Sequence, residues 1–72
     1  MELIEIKRRE RLSREAAAER LRTLADSLAR HNELEFVEGA TRFRVDVADE
    51  IELEVELEVG TDGAELEIEL KW

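Results

Sequence analysis

Residues 50–72 read EIELEVELEVGTDGAELEIELKW, and this stretch decides the fold. Apolar and charged residues alternate from Ile51 to Val59 and again from Leu66 to Trp72 without a miss. A period of two is the signature of a strand with one apolar and one polar face. Ile51, Leu53, Val55, Leu57 and Val59 share one face, opposite Glu52, Glu54, Glu56 and Glu58. Leu66, Ile68, Leu70 and Trp72 repeat the pattern, opposite Glu65, Glu67, Glu69 and Lys71. Between the runs stands Gly60-Thr61-Asp62-Gly63, rich in residues that tolerate the backbone angles of a tight hairpin.

The same period extends toward the N-terminus. Phe43, Val45 and Val47 alternate with Arg42, Arg44 and Asp46, and Leu34 and Phe36 begin a strand before them. Gly39-Ala40 and Ala48-Asp49 mark the turns. Upstream of residue 33 the period becomes 3.6. Ala17, Leu21, Leu24 and Leu28 form one stripe of a helix spanning residues 14–30. Ser13 is its natural N-cap, Glu15 suits the positive end of the helix dipole, and Leu12 is placed to staple onto Ala17. His31-Asn32 ends the helix, with Asn32 suited to a left-handed cap. At the front, Ile4 and Ile6 alternate with Glu5 and Lys7, which predicts a short strand over residues 2–7.

The predicted order is β-α-β-β-β-β, an α+β domain filling residues 1–72. The short connections make the last four strands an antiparallel meander. Its last two strands set glutamate against glutamate, and like charges directly opposite destabilise a sheet. Arg42 and Arg44 of the third strand, and Lys7 and Arg9 of the first, would flank those columns. The predicted five-stranded antiparallel sheet therefore has the order 2-3-4-5-1, with the helix packed on its apolar face.

Composition excludes several classes. Seventy-two residues are room for one domain with a thin stability margin. Cysteine is absent, so neither a disulfide nor a thiolate metal site staples it. Twenty acidic and eleven basic groups give a net charge of −9, which argues against nucleic acid or an anionic membrane as partner. The longest apolar run, Ala16-Ala17-Ala18, is far short of a membrane span, and the opening residues lack the apolar core of a signal peptide. The expected location is the cytoplasm.

Three segments together resemble a known family: the opening MELIEIKRRERLSREAAAERL, the stretch TRFRVDV over residues 41–47, and the ending ELEIELKW. They are similar to the amphi-Trp domain, named for amphipathic strands and a terminal tryptophan, and the resemblance covers essentially the whole chain. Its most specific element is the final alternating strand closed by Trp72. Ala48 stands where members usually have proline, and Ala16 where they often have glutamate, so the second turn lacks that rigidity and the capping box is incomplete. The resemblance implies a βαββββ-like domain of prokaryotic, often haloarchaeal, proteins and implies no established activity.

No residue set carries recognisable chemistry, and the chain is read as a non-enzyme with no cofactor and no metal site. The alternation leaves the glutamates on a solvated face, where their pKa values are not expected to split as acid–base work requires. A flat carboxylate ladder is also a poor cage for Ca²⁺ or Mg²⁺, which want convergent oxygens. His31 sits at a helix C-terminus, where a protonated imidazole interacts favourably with the dipole, and Asp26 and Glu35 are not obviously positioned to relay its proton. Ser13 is explained by its cap. Gly39, Gly60 and Gly63 fit turns and make no phosphate-binding pattern.

The apolar side offers more. A five-stranded sheet is about 20–25 Å wide, and one helix is about 10 Å across. One helix leaves part of that face uncovered unless the sheet coils strongly around it. The face comprises Phe36, Phe43, Val45, Ile51, Leu53, Val55, Leu57, Leu66, Ile68, Leu70 and Trp72. It is both candidate core and candidate interface, and a homodimer or another protein is the expected partner. The alternative reading is an acidic surface that binds cations or a basic partner, in the manner of a nucleic-acid mimic.

Overall fold

The computed structural model describes residues 3–72, with the backbone alone at His31. Helix α1 spans Arg14–His31, and four strands follow: β1 (Glu33–Glu38), β2 (Thr41–Asp46), β3 (Glu52–Gly60) and β4 (Gly63–Lys71).

The helix begins where the sequence places it. Ser13 is extended, and its hydroxyl accepts a hydrogen bond from the Ala16 amide at 3.1 Å. The other end closes on Asn32, left-handed at φ 51°. Arg20 ion-pairs with Glu10, and Arg22 with Glu19 one turn away, both at the surface.

β1 and β2 form an antiparallel hairpin that sets Leu34 against Val45 and Phe36 against Phe43 on one face. Its turn needs positive φ at the first central position, and Gly39 supplies it at 61°. The opposite face carries a charge cluster in which Glu35 receives both Arg42 and Arg44, at 3.4 and 3.3 Å. β3 and β4 form the second hairpin in the register the alternation demands: Leu53 opposite Leu70, Val55 opposite Ile68, Leu57 opposite Leu66.

The five-stranded sheet of order 2-3-4-5-1 is not present. The strands form two separate two-stranded antiparallel sheets, β1-β2 and β3-β4. Of the predicted first strand, residue 2 lies outside the described residues, and residues 3–7 adopt no strand. The meander breaks between β2 and β3, which do not pair. The helix does not lie across a sheet; it contacts β1 alone.

Exposed charge pairs are too weak to fix the order 2-3-4-5-1, since each is worth about 0–1 kcal/mol. Arg42 and Arg44, expected to flank the glutamates of the fourth strand, are held by Glu35 within their own hairpin. That partner lies across a two-residue turn, so closing the loop to reach it costs little entropy. The β3 glutamates are thus left without those cations beside them. The second hairpin is tied to the rest at its base: the Trp72 indole N–H donates to the Asp46 carbonyl at 2.8 Å. Nearby, the Val47 amide donates to the Asn32 carbonyl at 2.8 Å. No helix among the described residues is long and apolar enough to cross a membrane.

Candidate interaction surface

The β3-β4 hairpin follows directly from its sequence. Strict alternation gives each strand two unlike faces, and the two-residue turn Thr61-Asp62 fixes the register. Gly63, at φ 149°, takes the conformation that a side chain would resist. The result is a ribbon of nine residues per strand.

Its apolar face is open. Leu53 is 60% exposed, Leu57 67% and Val59 73%. Val55, Leu66 and Ile68 are exposed to a similar degree, and only Leu70 reaches half-burial. Among the described residues, β3 and β4 contact each other and no other element. Ile51 and Trp72, at the foot of the ribbon, are also exposed. Each strand has one unpaired edge, since no third strand joins the pair. A hairpin of this kind is marginal alone in water, and a long, apolar, open edge is a template for another chain.

The opposite face is a carboxylate ladder. Glu54 faces Glu69, Glu56 faces Glu67 and Glu58 faces Glu65 across the strands. Among the described residues, Lys71 answers them, at 3.1 Å from Glu69. The Glu67 carboxyl is pushed above the usual carboxylate range. The main cause is a hydrogen bond with Glu65 that its proton permits, followed by the charges of Glu65, Glu56 and Glu69. Among the described residues, no three His, Asp or Glu side chains converge as a metal site.

A second apolar surface lies on the other hairpin. Phe36, Phe43 and Val45 form a shallow groove of about 240 Å³ with Ile4 and Ile6 of the N-terminal segment. Phe43 and Ile6 are half-buried there, while Phe36, Val45 and Ile4 are exposed. On the helix, Leu24 and Leu28 are half-buried, whereas Leu21 of the same stripe is 51% exposed. The sequence-derived surface residues are thus divided. Phe36, Phe43 and Val45 sit on one hairpin; Leu53, Val55, Leu57, Leu66, Ile68 and Leu70 sit on the other. The N-terminal isoleucines belong with the first group, which the alternation in residues 2–7 concealed by imitating a strand.

Surface area measures the deficit. Among the described residues no side chain is fully buried. The chain exposes 7107 Å², against about 4,600 Å² for a folded monomer of its mass. The radius of gyration is 14.3 Å, against about 11 Å for a compact domain of this length.

Comparison with curated proteins and with solved structures gives no match. The model of one family does match, the Amphi-Trp domain, over residues 1–72. Amphipathic strands and a C-terminal tryptophan anchored through its indole thus accompany a match along the full length, and the chain belongs to the Amphi-Trp domain family.

Proposed function

We propose that this protein is a small non-enzymatic interaction domain that self-associates through the apolar face of β3-β4. The observation that carries the reading is the surface excess: about 2,500 Å² beyond what a folded monomer of this mass exposes. Two copies together carry about 5,000 Å² of such excess, at the upper end of the about 2,000–5,000 Å² in total that obligate dimers bury, so a second copy is a partner of the right size. The apolar face supplies the driving force at about 25 cal/mol per Å² covered, and a symmetric pair is the commonest closure. The acidic balance turns nucleic acid and anionic membranes away from the list of partners. Denaturation tests the reading, because folding coupled to association depends on concentration. The urea midpoint should rise with protein concentration, and Val55→Lys should lower it sharply. A midpoint independent of concentration contradicts self-association.

A second reading rests on the carboxylate ladder. Three glutamate pairs face one another with Lys71 as their near cation, which suits an acidic module that takes up cations or a basic protein. Binding of this kind weakens with salt. It should be lost when Glu54, Glu56 and Glu67 become glutamine. Binding that survives both changes contradicts it.

A further inference from the structure

We infer that two copies of this chain exchange hairpins: β3-β4 of each packs its apolar face on the helix and first hairpin of the other. The inference rests on the self-association proposed above and specifies what covers the face. Two unlike apolar surfaces stand open on one chain. One is the β3-β4 face, built on Leu53, Val55, Leu57 and Ile68. The other comprises the exposed Leu21 of α1 and the groove at Phe36, Phe43 and Val45. Packing hairpin against hairpin would cover the first and leave the second in water. Reciprocal packing of the first on the second covers both, and a two-fold axis closes the pair.

Dimensions agree. α1 has 18 residues and is about 27 Å long; β3 has nine and is about 30 Å long. A two-stranded ribbon is about as wide as a helix, roughly 10 Å. One helix thus matches one ribbon, which it could not do for a five-stranded sheet.

Charge separates the two arrangements. Residues 49–72 hold ten acidic groups and one basic, a net of −9. Residues 1–32 hold eight basic and six acidic, a net of +2. Stacked hairpins would bring two segments of −9 together, their carboxylate ladders turned outward and repelling one another through solvent. Exchange sets each against residues 1–48 of the other copy, which hold ten basic and ten acidic groups for a net of 0, with Arg8, Arg9, Arg11 and Arg14 near the start of the helix. The connection supports the geometry. Residues 47–51 lie outside any strand, and the hairpin touches no part of its own helix. Elements joined by such a link are the usual material of domain swapping.

The test is isotope-filtered NOE spectroscopy on an equal mixture of labelled and unlabelled chains, unsubstituted, with the mass measured on the same sample. Exchange predicts intermolecular NOEs from the Leu21 and Leu24 methyls to those of Val55 and Ile68. A dimer whose intermolecular NOEs link hairpin to hairpin, or whose helix–hairpin NOEs are all intramolecular, overturns the exchange and leaves self-association standing. A monomeric mass removes both.

Discussion

Ser13 shows how much one hydroxyl decides. It satisfies an orphan amide at the start of α1, and no glutamate at position 16 completes a capping box. Ser13→Ala should cost about 1 kcal/mol, read as a lower urea midpoint. Glu67 makes the opposite kind of statement. Its carboxyl holds its proton above the ordinary range because Glu65, Glu56 and Glu69 surround it. The folded state therefore binds this proton more tightly than the unfolded chain. The stability this site contributes is complete below the ordinary carboxylate pKa and is lost as pH rises through the raised one. Glu10 runs the other way. Its hydrogen bond and charge interaction with Arg20 lower its pKa, so its contribution is present above the ordinary value and lost as pH falls through the lowered one. Glu67→Gln should remove the gain on acidification, and unfolding midpoints on either side of the carboxylate range measure it. An unchanged pH slope contradicts the assignment.

At the scale of elements, the ladder that stresses β3-β4 also offers a repair. Glu56 and Glu67 are direct cross-strand neighbours. Glu56→Arg should stabilise the hairpin by about 0.2–1 kcal/mol and bring the Glu67 carboxyl back toward its ordinary range. Equilibrium unfolding and carboxylate NMR titration read the two effects. The register of this hairpin was legible in residues 50–72, because a period of two and a tight turn leave one alignment that keeps the apolar residues together. The helix and its caps were legible for similarly local reasons: Ser13, the Leu21-Leu24-Leu28 spacing and Asn32. Sheet order was not. Its reading rests on exposed charge pairs worth about 0–1 kcal/mol each, and Arg42 and Arg44 have a nearer partner in Glu35 across the β1-β2 turn. Residues 2–7 carry strand periodicity, yet Ile4 and Ile6 join the groove beside Phe36 and Phe43 and no strand forms over residues 3–7. Alternation states which side chains share a face; it does not state which edge will receive the strand.

At the scale of the molecule, the apolar residues chosen from sequence as core or interface remain largely open to water within one chain. The Trp72–Asp46 hydrogen bond ties the base of the second hairpin to the end of β2, and among the described residues that hairpin makes no contact with α1. A domain with no fully buried side chain among its described residues lacks the packed layer that offsets conformational entropy. A second copy supplies that layer. Sedimentation equilibrium at micromolar concentration tests this most directly. Self-association predicts twice the chain mass of 8.4 kDa, falling toward a single chain in Val55→Lys. A species of 8.4 kDa that stays folded at high micromolar concentration contradicts it.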